Sequence, residues 1–423
     1  MNSSESARRG YQRIALACQG GGALGAYHIG IYQAMSEAGY LPDVVSGISI
    51  GAFTAALIAG NEPEDRLAQL HDFWQAISWP DLWSPLGTTP GMQKMQATLG
   101  FLQAAMFGQP NFFSPLVPMF KLQLPLTLRA TSYYDTSAMR DTLKQFVHFD
   151  RINANKTRLI LGAVRVKDGV AGFFDSANSA KWPVGPEHVI ASGSLPPGFP
   201  GTRIEGKLYW DGGCVSNTPI EAIYHLQPAV PTLVFMIDLF NPEGEEPEDM
   251  DEVMIRQTEI LYASRTAHHI HQINQRSNLS RIVSRLIPPE QHGEVERWLS
   301  AAEEQRILPP NVPGAAHQDP FTLAEDGFLN DALFDVVHVV FDPPADTKIP
   351  HGDADFSRSS IDARAAKGYA NMREALTELQ EQQAKRQQHQ AALKLEAAPA
   401  LRSVLGEAAP IQSTVFNVGR RRN

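Results

Sequence analysis

The sequence has few cysteines and no long hydrophobic run. Cys18 and Cys214 are the only two cysteines among 423 residues, which excludes a disulfide framework and favours a reducing compartment. No apolar segment reaches the roughly 18–20 residues that a membrane span requires. The apolar stretch at residues 14–18, after Arg8 and Arg9, is shorter than the about 7–15 residues of a signal-peptide core. We therefore expect a cytoplasmic protein, peripheral at most to a membrane or lipid surface.

Basic charge is also scarce. Lys and Arg number 36 against 46 Asp and Glu, a formal net charge of −10, and the only basic cluster is residues 420–422. This balance argues against a nucleic-acid partner and against electrostatic docking on anionic lipid. The sequence indicates no particular protein partner. A hydrophobic fraction of 43% with 19% charged residues is typical of a globular protein with a large core.

Hydrophobic periodicity predicts an α/β protein. The first 60 residues alternate as a strand over 13–18, a helix over 23–38, a strand over 43–47 and a helix over 50–59. This order implies a parallel sheet with right-handed crossovers. The same patterns predict later strands over 157–167, 172–175, 208–211, 232–239 and 336–341, and helices over 187–193, 253–286 and 361–397.

Residues 82–127 differ in composition from the rest of the chain. They are rich in Phe, Met, Leu, Gly and Pro, and Lys94 and Lys121 are their only charges. Two interpretations are open, namely a buried irregular crossover and a cap over an acyl pocket or lipid-facing surface. Uncharged apolar loops are typical of binding sites and interfaces.

Residues 47–51, Gly-Ile-Ser-Ile-Gly, form a G-x-S-x-G pattern between a predicted strand and a predicted helix. In this setting a serine occupies a strained turn that projects its hydroxyl from the sheet edge, and small flanking residues permit the bend. The pattern predicts Ser49 as a nucleophile. The alternative is a glycine-flanked serine that only caps the helix.

A glycine loop, residues 20–25, follows the first strand and has two interpretations. It matches the G-x-G-x-x-G dinucleotide fingerprint, and it equally offers backbone N–H groups at a helix start for an oxyanion. A dinucleotide site needs an acid at the end of the second strand. Here Asp43 opens that strand and Ser49 follows its end, so an acyl-transfer site is favoured.

Asp211 is the candidate base for Ser49. It ends a predicted strand and is followed by Gly212 and Gly213, which allow a tight turn. Strand ends on one side of a parallel sheet share a crevice, so we expect Asp211 to reach Ser49. Taken alone, an Asp-Gly pair is often no more than a turn.

The order GGGALG, GISIG, DGG resembles the patatin-like phospholipase family, lipid acyl hydrolases with a Ser-Asp dyad and no catalytic histidine. The resemblance implies Ser49 as nucleophile, Asp211 as base, and the backbone of Gly20, Gly21 and Gly22 as oxyanion hole. Further motif glycines are Gly25, Gly47, Gly51, Gly212 and Gly213. The match spans most of residues 12–240, with additional similarities at 132–135, 191–197 and 216–219. One departure is Leu24, where many patatins have Arg or Lys.

The resemblance also implies the architecture. It predicts a patatin-like three-layer α/β fold, with a mostly parallel central sheet flanked by helices and a mainly helical C-terminal extension. The predicted divisions are a tail over 1–11, a catalytic domain over 12–240 with the 82–127 cap, a C-terminal region over 253–397, and a flexible tail over 398–423. Residues 355–358 and 368–369 resemble a C-terminal region of unknown function from one bacterial branch.

The implied substrate is a lipid or another hydrophobic ester, with no metal and no cofactor. Contact with a membrane or lipid surface would be hydrophobic and transient, because the net charge is acidic. Two other functions remain open. One is a non-catalytic acyl-chain or membrane-surface binding protein; the other is a triad esterase using His338, His351 or His28. Asp353 and Asp355 are interpreted as loop residues.

Overall fold

The central sheet runs through most of the chain. The computed structural model describes residues 8, 10–80, 89–116, 130–295, 298, 333–343, 348–349, 352–396 and 415–418. The strands are β1 (Arg13–Cys18), β2 (Val44–Gly47), β3 (Ser114–Pro115), β4 (Tyr134–Asp135), β5 (Arg158–Arg165), β6 (Val170–Asp175), β7 (Thr202–Ile204), β8 (Lys207–Asp211), β9 (Thr232–Asp238), β10 (Phe334–Val340) and β11 (Val415–Val418).

Within the described ranges, nine strands form one sheet in the order β11-β10-β9-β1-β2-β5-β8-β7, and β6 also pairs with β5. The pairs from β11 through β9 and β1 to β5 are parallel. The pairs that β6, β7 and β8 make are antiparallel. The two short strands β3 and β4 form a separate ribbon. The sheet is therefore mostly parallel, with one antiparallel edge.

Helices cover both faces of the sheet. They are α1 (Tyr27–Glu37), α2 (Ile50–Gly60), α3 (Arg66–Ala76), α4 (Pro90–Phe107), α5 (Ala138–Phe146), α6 (Phe149–Asn153), α7 (Pro186–Ser192), α8 (Ile220–Tyr224), α9 (Met250–Leu286) and α10 (Arg358–Glu396). Short 3₁₀ turns occupy Gly22–Ala26, Ser176–Asn178, Gly212–Cys214, Pro289–Gln291 and Gly352–Ala354.

The alternation of side chains along β1 shows why three layers form. Ile14 and Leu16 belong to the core cluster that contains α1 and α2, whereas Ala15 and Ala17 belong to the cluster that contains α8. A parallel strand buried on both faces needs consecutive apolar residues, and β1 has them from Ile14 to Cys18. The predicted fold class, a mostly parallel sheet flanked by helices with a helical C-terminal segment, is confirmed.

Three features differ from the sequence prediction. The first helix begins as a 3₁₀ turn over Gly22–Ala26, because the glycine loop runs directly into it. The interpretation of Asp211 assumed a parallel strand, whereas β8 runs antiparallel to β5. Strand β10 lies beside β9, so the chain beyond residue 253 contributes to the central sheet.

Several predicted segments lie wholly or partly outside the described residues. These are most of the tails over 1–11 and 398–423, the 82–88 and 117–127 portions of the apolar segment, and residues 296–297, 299–332, 344–347, 350–351 and 397 of the C-terminal region over 253–397. Residues 415–418 of the C-terminal tail pair with β10. The domain boundaries stay a prediction. Among the described helices, none combines the length and the hydropathy that crossing a bilayer would take.

Candidate active site

Ser49 lies in a strained turn between β2 and α2. Its φ of 55° and ψ of −130° fall in a backbone region that side-chain-bearing residues rarely adopt, at a cost of about 1–3 kcal/mol. A Cβ atom on Gly47 would clash with the carbonyl of Gly51, and one on Gly51 with the carbonyl of Cys18. The Ser49 N–H is held by the Ser192 carbonyl at 3.0 Å and the Ser192 hydroxyl at 3.2 Å. The two flanking glycines are therefore a steric requirement.

Strand β5 explains how Asp211 reaches Ser49. The end of β2, Gly47, pairs with Leu161, and the end of β8, Asp211, pairs with Ala163. These positions are two residues apart along β5, about 7 Å at the rise of a strand. Because β8 is antiparallel to β5, it arrives from the opposite direction and ends where β2 ends. The predicted proximity is present, but it comes from an antiparallel pairing.

The carboxylate of Asp211 is buried, and only one of its oxygens has a fixed hydrogen bond. Oδ1 accepts the N–H of Gly213 at 2.8 Å, within the turn that Gly212 and Gly213 form. Oδ2 is buried and, among the described residues, has no partner at hydrogen-bonding geometry. Burial raises the pKa of Asp211 to about 7, although the Gly213 N–H and the nearby Ser49 hydroxyl both lower it.

The glycine loop lies against Ser49. A Cβ atom on Gly20 would lie 2.8 Å from Cβ of Ser49, and one on Gly25 would lie 2.6 Å from Cγ2 of Ile50. Asn217 fixes the loop by two hydrogen bonds to Gly20. Its side-chain N–H donates to the Gly20 carbonyl at 3.0 Å, and its backbone carbonyl accepts the Gly20 N–H at 3.4 Å. In the described part of the chain, the N–H groups of Gly21 and Gly22 have no acceptor.

A buried hydrogen-bond network around Gln19 holds the residue just before the glycine loop. The sequence analysis did not predict it. Oε1 of Gln19 accepts the N–H groups of Leu239 at 2.5 Å and Phe240 at 3.2 Å. Nε2 of Gln19 donates to the Thr218 hydroxyl at 3.0 Å, which donates to Asp238 at 3.0 Å. The sequence feature that could have indicated this network is a polar glutamine placed between a buried strand and a glycine loop. Its side chain joins the ends of β1 and β9.

The candidate histidines do not contact Ser49 where they are described. His338 is buried on β10, with its Nε2 2.9 Å from Oδ2 of Asp238. Strand β10 lies three strands away from β2 in the sheet, a distance of about 14 Å. His28 is buried in α1 with Nδ1 3.3 Å from the Thr54 hydroxyl, and burial lowers its pKa to about 3. His351 lies outside the described residues.

An apolar cavity of about 320 Å³ opens over Ser49 and Asp211. It is walled mainly by aromatic and aliphatic side chains, which is typical of a site for a hydrophobic ligand. Its wall includes Phe53, Phe101, Phe112, Phe113, Tyr134, Met139, Leu195, Phe199, Phe240, Tyr262 and Phe356. Tyr262 of α9 and Phe356 near α10 come from the C-terminal region, and neither was a predicted site residue.

Helix α4 covers one side of this cavity. Phe101, Ala104 and Ala105 line the cavity from α4. The opposite face carries an exposed apolar stripe, made of Met92, Met95, Leu99, Leu102 and Met106. Leu24 packs partly buried against the core. Within the described residues, no group of three or more His, Cys, Asp or Glu side chains is arranged to hold a metal.

The described residues thus form an α/β protein with a serine in a strained strand-to-helix turn, beside a glycine loop and an apolar cavity. A family model described as Patatin-like phospholipase matches residues 16–224, and a second, described as Patatin phospholipase, matches residues 305–389. The chain belongs to the patatin-like phospholipase family. This membership supports lipid acyl hydrolysis at the level of the family.

Similarity to individual proteins is local. A patatin-like phospholipase domain-containing protein of Neurospora crassa is 43% identical over 60 residues, covering 14% of this chain and 7% of the relative. Patatin-like phospholipase domain-containing protein 6 of Mus musculus is 46% identical over 61 residues, covering 14% and 4%. Triacylglycerol lipase SDP1L of Arabidopsis thaliana is 29% identical over 82 residues, covering 19% and 10%.

Among solved structures, VipD from Legionella pneumophila aligns with a TM-score of 0.33 and 13% identity, over 87% of this chain and 67% of VipD. The chain spans 4–7% of the length of the first curated relatives that it matches.

Proposed function

We propose that this protein is a lipid acyl hydrolase in which Ser49 is the nucleophile and Asp211 is the general base. One observation carries the proposal. The strained Ser49 turn adjoins Asp211, whose buried Oδ2 has no hydrogen-bond partner among the described residues, and both residues line the same apolar cavity. A folded protein retains such strain where it supports function.

The proposed reaction has two steps. Asp211 accepts the Ser49 proton at Oδ2 as Oγ attacks the ester carbonyl carbon, and the tetrahedral oxyanion binds the unpaired N–H groups of Gly21 and Gly22. The Gly20 N–H is engaged by Asn217, so it is the weakest of the three predicted donors. Collapse expels the alcohol, which takes the proton from Asp211. Water, deprotonated by Asp211, then attacks the acyl carbonyl carbon, and Ser49 Oγ leaves with the proton that Asp211 returns.

The pKa of Asp211 suits this role. A base is most efficient when its pKa lies near the working pH, and burial raises that of Asp211 to about 7. Since Asp211 serves as the base, no histidine is needed. The apolar cavity then binds the acyl chain beside Ser49.

Chemical labelling and turnover test the proposal together. The wild-type protein is incubated with a neutral alkyl fluorophosphonate and, separately, with p-nitrophenyl esters of short to long chain and a fluorogenic phospholipid. We expect one phosphonyl adduct, located at Ser49 by peptide mass spectrometry, and ester hydrolysis. Ser49→Ala should lose the adduct and at least about 10³-fold in kcat. Ser36→Ala, a serine on α1, is the matched control and should retain both.

His338→Gln separates the dyad from a triad. Loss of a catalytic histidine costs on the order of 10⁶-fold in kcat, and even partial loss of its function costs about 10⁴-fold. Because His338 contacts Asp238 and not Ser49, we expect a loss below about tenfold. A loss near 10⁴-fold with an unchanged melting temperature would overturn the dyad. A folded wild-type protein that is neither labelled nor active would instead favour the non-catalytic binding protein.

We also propose that the exposed face of α4 contacts a neutral lipid surface. The stripe centred on Leu99 lies opposite the cavity-lining face of the same helix, and Lys94 of α4 is 3.9 Å from Asp251 at the start of α9. Near that start, Met250 is 72% exposed, and further along α9 Leu261 is 65% exposed. Exposed apolar groups beside a cavity mouth are suited to shallow insertion at an interface.

Leu99→Glu should therefore weaken binding to neutral phosphatidylcholine vesicles by about tenfold, because a charge in the stripe opposes insertion. Flotation measures the bound fraction, and hydrolysis of a short soluble ester reports the integrity of the fold. Gln75→Glu on the exposed surface of α3 is the charge-matched control. Equal flotation of all three proteins, or binding that disappears with added salt, would contradict this contact.

A further inference from the structure

The ring of Phe112 separates the cavity over Ser49 from the buried aromatic side chains of α3. Phe112 lines the cavity and also contacts Phe73 of α3, with the two ring centroids 6.2 Å apart and the rings edge to face. Phe73 is only 1% exposed and is not among the cavity-lining residues that the structure describes. Phe112 is therefore the boundary of the cavity in the direction of α3.

This boundary lies away from the reacting atoms. Phe53 lines the cavity about one helical turn after Ser49, roughly 6 Å further along the axis of α2. The rings of Phe53 and Phe112 are in edge-to-face contact, with centroids 5.2 Å apart. An acyl chain that has its carbonyl at Ser49 and extends along Phe53 therefore reaches the ring of Phe112.

The turn that carries this ring, residues 109–113, is tied to two helices. The side-chain amide of Asn111 donates to the carbonyl of Ala76 at 2.9 Å, at the end of α3. The hydroxyl of Thr142 on α5 donates to the carbonyl of Asn111. Asn111 directly precedes Phe112, so these bonds hold the backbone from which the ring projects. A ring fixed in a close-packed environment cannot move aside without disturbing its neighbours.

We propose that Phe112 sets an upper limit on the length of the acyl chain in this site, and so makes it selective for medium-chain over long-chain esters. The inference rests on the hydrolase function proposed above and names the substrate class of the same site. A cavity of about 320 Å³ has room for about ten chain carbons, if each occupies about the 30 Å³ of a water molecule in the liquid. Each methylene buried within that limit favours binding by up to about fourfold, whereas one that collides with a fixed ring opposes it.

A series of p-nitrophenyl esters tests this limit. Their saturated acyl chains run from about 4 to about 14 carbons, because each buried methylene adds to binding, and each ester is kept below its micelle-forming concentration. We measure kcat/KM for wild type, Phe112→Leu, Phe112→Trp and Phe146→Leu. The last variant is the matched control, because Phe146 is buried and contacts Phe73 at 6.1 Å but is not among the described cavity-lining residues.

We expect kcat/KM of wild type to rise up to a chain of about ten carbons and to fall beyond it. The leucine side chain is smaller than that of phenylalanine by about three carbons, and the tryptophan side chain is larger by about three heavy atoms. The optimum should therefore move to chains about three carbons longer in Phe112→Leu and about three carbons shorter in Phe112→Trp, and should not move in Phe146→Leu.

The melting temperature of each variant shows whether it is folded, and if Phe112→Leu is not, the shift in Phe112→Trp decides. The same optimum in wild type and in the folded variants of Phe112 would overturn the inference. An equal shift in Phe112→Leu and Phe146→Leu would also overturn it, since a general loosening of the core would then explain the longer chains.

Binding separates failure of this inference from failure of the hydrolase proposal. The dissociation constants of the N-methyl amides of the same acids are measured by calorimetry with Ser49→Ala and with Ser49→Ala/Phe112→Leu. Affinity that stops rising at about ten carbons in the first protein, and about three carbons later in the second, supports the limit even if wild type hydrolyses nothing. Affinity that keeps rising with chain length in Ser49→Ala, or that stops rising at the same length in both proteins, overturns the limit whatever the wild-type activity.

Discussion

Replacement of Asp211 by asparagine is expected to abolish hydrolysis and to stabilise the fold above pH 7. The asparagine side chain has the same shape but cannot accept the Ser49 proton, so kcat/KM should fall on the order of 10⁴-fold. In wild type, kcat/KM should fall about tenfold per pH unit on the acidic side of an apparent pKa near 7, because burial raises the pKa of Asp211 to about 7. Initial rates on a soluble ester between pH 5 and 9 measure both effects.

The stability gain follows from the same pKa. An aspartate that has an ordinary pKa of 3.8 when unfolded and about 7 when folded binds more protons in the folded state between these values. Wild-type stability therefore falls as pH rises from about 4 to 7, and levels off above 7. Asparagine has no such dependence, so the variant should gain on the order of 4 kcal/mol above pH 7 and little near pH 4.

Urea unfolding of wild type and Asp211→Asn at several pH values between 4 and 8.5 measures this difference. Asp238→Asn is the matched control, because Asp238 is a buried aspartate that already accepts from Thr218 and contacts His338. Loss of those contacts should destabilise the control by about 1–3 kcal/mol. If Asp211→Asn is destabilised like the control, Asp211 has an ordinary structural role.

Replacement of Arg364 by methionine should have the largest effect on stability. The variant leaves the carbonyls of Ala23, Gly352 and Asp355 without their donor. It also leaves the Asp355 carboxylate buried without the guanidinium 3.6 Å away. Removal of one partner of a buried ion pair costs about 3–5 kcal/mol. Since Arg364 also holds the carbonyl of Ala23, we expect lower kcat/KM through a looser glycine loop.

Thermal unfolding and ester hydrolysis measure the two consequences. Arg373→Met removes an exposed arginine from the same helix, α10, and should change neither by much. Arg364→Lys keeps the positive charge, but a single ammonium group cannot reach all three carbonyls that the planar guanidinium reaches. This variant should therefore recover only part of the stability. Wild-type stability and activity in Arg364→Met would show that residues 352–355 and the glycine loop do not depend on this contact.

The element order was readable from the sequence because its signals are local. The predicted strand over 13–18 coincides with β1, and the predicted strand over 232–239 ends one residue beyond β9. Hydrophobic runs bounded by glycine or polar residues specify such segments without reference to their neighbours. The Ser49 turn was local in part, because a backbone contact within the turn requires Gly47, whereas the carbonyl of Cys18 at the end of β1 requires Gly51.

Contacts between distant segments were not readable in this way. The sequence marked His338 as a candidate base, but a strand pattern does not say which strand lies beside it, and β9 brings Asp238 to it. It marked Asp353 and Asp355 only as loop residues, because nothing near them in the chain reveals that the glycine loop is their neighbour. The role of Gln19 was not predicted because its hydrogen-bond partners, Thr218, Leu239 and Phe240, lie 199 to 221 residues further along the chain.

The sequence alone thus determined the α/β class, the serine turn, the glycine loop and the pairing of Ser49 with Asp211 as a hypothesis. Tertiary structure decided how Asp211 comes to Ser49, through the antiparallel register of β8 on β5. It also placed Asp353 beside Gly22, about 330 residues away in the chain. The physical reason is that turn geometry and hydrophobic period depend on adjacent residues. Register, charge balance and burial depend on which strands and loops pack together.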